Sequence, residues 1–205
     1  MSEDIEVYDR ATNFKLVFAR YFEQLTDPEH LTNELTNLGF FTAPASAKHH
    51  LNYEGGLYDH CRNVTNALID LTYYNHLKWS RPESPYIIGM FHDLCKCDEY
   101  IRHKDGKITS TVDGWTMTYP ETESDQLFSY NTQTLLKGHG DKSVMLASTL
   151  MSLTPEEVLC IRYHMGAFTD KEEWNDYTRA IHAYPNVLWT HQADMIATHI
   201  TEANS

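Results

Sequence analysis

The sequence predicts a mainly α domain, a helical bundle carrying a small β-hairpin or meander around residues 99–130. Two observations carry this expectation. Through most of the chain apolar residues recur at three- and four-residue steps, the spacing of one face of a helix. Between 99 and 130 that pattern gives way to two runs of β-branched and aromatic residues, ITSTV and WTMTY. The turn pairs Asp105-Gly106 and Asp113-Gly114 precede and separate them.

Taken in order, Phe14, Val17, Phe18, Tyr21, Phe22 and Leu25 define a first helix from Tyr8 to Thr26, ended by Asp27-Pro28. Glu29 to Leu38 reads as a short helix stopped by Gly39. The stretch from Phe40 to Gly56 contains Pro44, Ser46 and Gly55-Gly56 and reads as a loop, long enough to suggest a functional one. A second amphipathic helix spans about Leu57 to His76, with His60, Val64, Ala67, Leu68 and Leu71 inward. A polar connection with Pro82 leads to a third helix, about Pro85 to Lys96, apolar nearly all round and therefore central. Beyond the β arm, helices are expected over Asp141–Ser152, Pro155–Tyr163, Glu172–Ala183 and Pro185–Ala203. Thr154-Pro155-Glu156-Glu157 has the form of a capping box. The whole reads as one domain over 1–205, with an N-terminal helical extension (1–39), a core (40–203) and the arm (99–130) inserted in it.

Sixteen Lys and Arg against twenty-nine Asp and Glu give a net charge of −13. Such a surface repels polyanions, so long RNA or DNA is disfavoured as a partner, whereas a small anion can bind where cations invert the local field. No apolar run reaches the roughly 20 residues of a membrane helix, and the first ten residues are acidic and polar. Cys61, Cys95, Cys97 and Cys160 lack the spacing of a zinc ribbon. A cytoplasmic protein with reduced thiols is expected.

Four residues stand out among twelve histidines and many carboxylates. His60 lies on the inward face of its helix, His92-Asp93 inside the most apolar helix (GMFHDLCK), and Asp194 among Ala193, Met195 and Ile196. A carboxylate in such surroundings is costly unless paired or bound to metal. Two imidazoles and two carboxylates suit a divalent cation. On one helix, adjacent His92 and Asp93 point about 100° apart and can reach a metal over that edge. The cation would lower the pKa of a coordinated water toward neutrality for attack on phosphorus.

The ordered series His60, His92-Asp93, Asp194 resembles the HD-domain metal-dependent phosphohydrolases, over roughly residues 40–200. His50, Gly55-Gly56-Leu57 and His60 look like the entry of HD domains similar to those of bacterial 3′–5′ exoribonucleases. The resemblance implies an HD-type helical bundle in which these four residues ligate metal. His139 and His164, placed between the HD pair and Asp194, resemble the second-metal histidines of two-metal branches such as the HD-GYP and cyclic-nucleotide phosphodiesterase-like ones. There the aspartate of the pair bridges two cations. The alternative is one metal, with His139 and His164 on substrate phosphate. Cys95 stands where the family often has glycine, Lys96 keeps the family's lysine, and no GYP motif is present.

The expected assignments follow. Metal falls to His60, His92, Asp93, His139, His164 and Asp194, and catalysis to Asp93 and Lys96. Substrate contacts fall to Lys48, His50, Lys96 and Lys142, with surface or capping roles as the alternative for each. His191, one turn from Asp194, either supports a ligand or simply packs. One or two ions of Mn, Fe, Ni, Co, Zn or Mg are implied. The expected activity is hydrolysis of a phosphoester, mono or di, in a small phosphorylated molecule such as a nucleotide. The alternatives are a 3′–5′ exonuclease and a non-catalytic nucleotide-sensing module.

Overall fold

The computed structural model describes residues 9–103, 108–112, 115–119 and 127–203, with no side chains described in 108–112 and 115–119. Helices dominate, as the periodicity predicts. They are α1 (Arg10–Val17), α2 (Pro28–Leu38), α3 (Gly56–Asn75), α4 (Ser84–Phe91), α5 (His139–Leu150), α6 (Pro155–Arg162), α7 (Trp174–Ala183) and α8 (Asn186–Ile196). Among the described residues, four short strands make two antiparallel pairs. β1 (Tyr100–Arg102) pairs with β4 (Phe128–Tyr130), and β2 (Ile108–Val112) pairs with β3 (Trp115–Tyr119). The inner pair coincides with ITSTV and WTMTY. Both Asp-Gly turn signals lie outside the described residues.

Three predicted helices are shorter or differently wound than expected. The first ends at Val17 and continues as a tight 3-10 turn, Ala19–Phe22. Phe14, Phe18 and Phe22 are all buried, and Phe22 packs 5.4 Å from Phe91, so tertiary packing overrides the local period. Asp27-Pro28 opens α2 as well as closing the segment before it: Asp27 accepts the His30 N–H at 2.7 Å, and Pro28 fills the first turn. The third predicted helix stops at Phe91 rather than Lys96, and a 3-10 turn follows over Leu94–Cys97. The last becomes a widened π turn at Ala197–Thr201.

One contiguous apolar core runs from Phe14 to Ala197. Helix α4 lies at its centre, with every residue from Ser84 to Phe91 buried except Tyr86. α3 and α6 pack on it, and α8 packs on both α3 and α6. The capping box is present: Thr154 Oγ1 accepts from the Glu157 N–H, and the Glu157 carboxylate accepts from the Thr154 N–H at 2.8 Å. Glu157 also receives Ser84 Oγ at 2.8 Å and two bonds from Arg81, so the starts of α4 and α6 are tied together. Each of these helices has eight residues, and their C-terminal ends therefore arrive side by side.

Close approach depends on a glycine at the α3–α4 crossing. A Cβ on Gly89 would sit 2.4 Å from Thr65 Oγ1 and 2.6 Å from Thr65 Cα, inside van der Waals contact with backbone. Gly89→Ala is expected to push the two helices apart and destabilise by about 2 kcal/mol, the usual cost of overpacking. Thermal unfolding measures this, and an unchanged midpoint would refute it. Among the described residues, no helix is long and apolar enough to cross a membrane.

Candidate metal centre

Five helices deliver six polar groups to a common point. His60 comes from the second turn of α3, His92 caps the end of α4, and Asp93 follows it. His139 is the first residue of α5, His164 follows the end of α6, and Asp194 lies in α8. All six of the predicted metal-ligating positions thus converge.

His92 and Asp93 reach this point by leaving the helix. The Gly89 carbonyl, freed at the end of α4, takes the His92 Nδ1–H at 2.9 Å, and Asp93 adopts a non-helical backbone (φ −111°, ψ 21°). No glycine or proline marks this break, which is why the periodicity reads through it. His164 repeats the arrangement: its Nδ1–H donates to the Ile161 carbonyl at 2.7 Å, again three residues back. A carbonyl only accepts, so both rings carry their proton on Nδ1 and turn Nε2 inward. His60 is held the same way by a different group. Its Nδ1 lies 3.1 Å from both oxygens of Glu202, which also accepts from Asn63 Nδ2 at 3.0 Å.

The inward atoms fall into two sets around Asp93. Asp93 Oδ2 lies 3.6 Å from His60 Nε2 and 3.5 Å from His92 Nε2. Asp93 Oδ1 lies 2.8 Å from His139 Nε2 and 3.3 Å from His164 Nε2. Asp194 joins the first set, its Oδ1 3.3 Å from His60 Nε2. Cys95 flanks the second, its Sγ 3.3 Å from His139 Nδ1. Two oxygens of one carboxylate thus face two different histidine pairs.

Buried Asp93 Oδ1 and His164 Nε2 lie close together without meeting in hydrogen-bond geometry. Two buried lone pairs facing each other need a positive charge between them, either a proton or a metal ion. The imidazole and carboxylate donors fit a divalent cation.

Charge balance shows how strongly the site attracts protons. Burial by itself would neutralise Asp93, but Lys96 above all, with His92 and His139, holds its carboxyl well below the usual carboxylate range. Lys96 Nζ sits 2.7 Å from Asp93 Oδ2. Burial disfavours an imidazolium at His60, yet its bonds to Asp194 and Glu202 push it up to about 9. At His164 burial is likewise outweighed, by Asp93, and the pKa rises. At His92 burial prevails and lowers it to about 4. Burial opposes ionisation of Asp194, and the bond to His60 carries its pKa well below the ordinary value.

A hollow of about 310 Å³ opens onto these groups. Tyr100 and Tyr130, carried by β1 and β4, line it together with Phe168 and Met165, so these two strands of the inserted arm border the site. Of the predicted substrate contacts, His50 and Lys96 line this hollow, and Lys48 and Lys142 do not. Lys48 is exposed, and Lys142 is buried with its ammonium on Asp98. Ser46 positions His50 by accepting the His49 N–H at 2.8 Å and donating to the His50 carbonyl at 3.0 Å. His191 is buried and donates to the His164 carbonyl at 2.9 Å, holding the turn that carries a predicted ligand.

Sequence reasoning missed Glu202 and the position of Cys95. Glu202 sits in TEANS and reads as solvated, yet it is 2% exposed, and the preceding π turn aims it at His60. Carboxylates that hold a metal-binding histidine typically contribute ten- to a hundredfold to metal affinity. Glu202→Gln is therefore expected to weaken divalent-metal binding about tenfold, read by calorimetry. Unaltered affinity would remove Glu202 from the site.

No protein-family model, no curated protein and no solved structure matches the chain. What stands on the chain's own evidence is a mainly helical domain with buried His/Asp clusters able to bind metal.

Proposed function

We propose that this chain is a metal-dependent phosphohydrolase of the HD type, acting on a small phosphorylated substrate, a nucleotide in particular. The observation that carries the reading is the divided Asp93 carboxylate, one oxygen toward His60 and His92 and the other toward His139 and His164. His60, His92, Asp194 and Asp93 Oδ2 would hold one cation, and Asp93 Oδ1, His139 and His164 a second. Bound there, divalent cations supply a water of lowered pKa and positive charge for phosphate oxygens.

The protein's own groups do the rest. Lys96 keeps Asp93 ionised in its buried setting, and Glu202, Gly89 and Ile161 fix three rings with Nε2 inward. Tyr100, Tyr130 and Phe168 offer flat faces at the hollow for a nucleobase. The −13 charge supports a small substrate over long nucleic acid. Four imidazoles favour a transition ion such as manganese, iron, cobalt, nickel or zinc over magnesium.

The test is to strip the protein with chelator, reload it with each ion in turn, and assay nucleotide monoesters and diesters beside labelled single strands. Turnover of small esters that depends on added metal supports the reading. Trimming of long strands with small esters untouched, or tight nucleotide binding without product, would overturn it in favour of an exonuclease or a sensing module respectively.

A further inference from the structure

Among the described residues, the hollow over the candidate metal centre adjoins two others large enough for a ligand group, while a smaller one of about 200 Å³ shares His139, Met165 and Phe168 with it. At the His139 end the hollow over the centre shares Glu99, Tyr130 and His139 with a second hollow of about 320 Å³. At the His60 end it shares His50, Thr198 and His199 with a third of about 520 Å³. The two outer hollows share no residue with each other. The overlapping groups of candidate ligands run the same way, from Glu202 and His60 through His92 and Asp93 to His139 and Cys95. A groove therefore extends past both ends of the candidate two-metal centre.

From this shape we infer that the substrate is a phosphodiester with a planar, polar group on each side, a dinucleotide rather than a terminal monoester. The inference rests on the phosphohydrolase reading and narrows it. A phosphate seated over Asp93 has two ligand-sized hollows beside it into which a substituent can run, one at the His139 end and one at the His60 end. Each of the three volumes lies near or within the range of a small-molecule site, about 300–1,000 Å³. A mononucleotide would occupy one arm and leave the other in water.

The linings fit such a ligand. Tyr130 is 64% exposed and borders both the middle and the His139-side hollow, an aromatic face open to stacking. Asn131, Thr132 and Lys137 add polar groups on that side. On the other side His49, His50 and His199 present imidazoles. Charge points the same way. Lys96 is the one ammonium among the described residues lining the middle hollow, and Asp93 already takes it, while Glu99 and Asp194 line the same space. Beyond the cations themselves, the described residues offer no further free ammonium in this hollow for a second phosphate charge, which favours a singly charged diester over a monoester dianion. In the reaction water adds across one P–O bond. A new P–O bond forms to the water oxygen, the ester P–O bond breaks, and the departing oxygen leaves as an alcohol with a proton. The other product keeps the phosphate as a monoester.

The experiment compares a dinucleoside monophosphate with its two component mononucleotides on the metal-reloaded protein, and measures calorimetric binding of the non-hydrolysable methylenephosphonate dinucleoside. The dinucleotide is expected to exceed both mononucleotides in kcat/KM by about tenfold or more, the worth of one additional stacked base. Tyr130→Ala and His199→Ala, both at exposed positions, should each raise KM for the dinucleotide, whereas a mononucleotide should respond to only one of them. Equal or better turnover of mononucleotides, or a dinucleotide sensitive to only one variant, overturns the inference. Absence of hydrolysis in every arm would defeat the phosphohydrolase reading instead. The phosphonate then still decides the shape argument, by binding more tightly than a mononucleotide or not.

Discussion

Asp93→Asn is expected to empty both cation positions at once. Among the predicted ligands, Asp93 alone faces both histidine pairs, so its charge is shared between the two sets. An amide of the same shape keeps the volume but loses the anion that offsets two dications. Elemental analysis should show metal per chain falling to background, and turnover should drop on the order of a thousandfold or more. His164→Ala touches one set only and should leave one cation bound. The substitution at Asp93 also strands Lys96, whose side chain is 13% exposed and whose ammonium loses its partner. Breaking a buried pair from one side costs about 3 kcal/mol, so a lower unfolding midpoint is expected as well. The double variant Asp93→Asn/Lys96→Met separates the two effects, since it should recover stability without recovering metal. Full metal content and turnover in Asp93→Asn would sink the two-set reading of the site.

How much of this was legible in advance varies with the kind of force involved. The helix α3 and the arm were, because each rests on a pattern that burial imposes directly: one apolar face in Gly56–Asn75, and β-branched residues between turn signals in 108–119. The end of α4 was not. There the break comes from His92 claiming the Gly89 carbonyl and from Asp93 turning to its partners, a competition that leaves no punctuation in GMFHDLCK. The same holds at the C-terminal end of α8, where a π turn brings Glu202 under His60. His60, His92, Asp93 and Asp194 were legible because charged or imidazole groups in apolar surroundings demand a partner, whereas His139 and His164 were legible only as a resemblance in their order along the chain. Glu202 was not, because its neighbours are polar and only the fold buries it. Cys95 read as a departure from a pattern, and only its 3.3 Å approach to His139 gives it a place.

Metal should stabilise this protein more as pH rises, while the chelated protein should lose stability over the same range. The sign follows from His60. Its pKa is raised from 6.5 to about 9 in the fold, where Asp194 and Glu202 hold the proton. In the unfolded chain that proton leaves near the ordinary value. The stabilisation it brings to the chelated protein is therefore fully present below about pH 6.5 and is lost as pH climbs through 9. His164, also raised and by the neighbouring Asp93, adds in the same direction, and His92, lowered to about 4, is neutral throughout. A cation needs the same Nε2 lone pairs and must displace these protons, so its affinity grows where the protons become easier to remove. At about a thousandfold excess over Kd, one site stabilises by about 4 kcal/mol. For a chain of this size that raises Tm by roughly 8–16 °C. Unfolding scans with manganese and with chelator, from pH 6 to pH 9, should therefore show two curves that diverge toward alkaline pH. Parallel curves would mean that protons and metal do not compete for His60, and that the cation sits elsewhere.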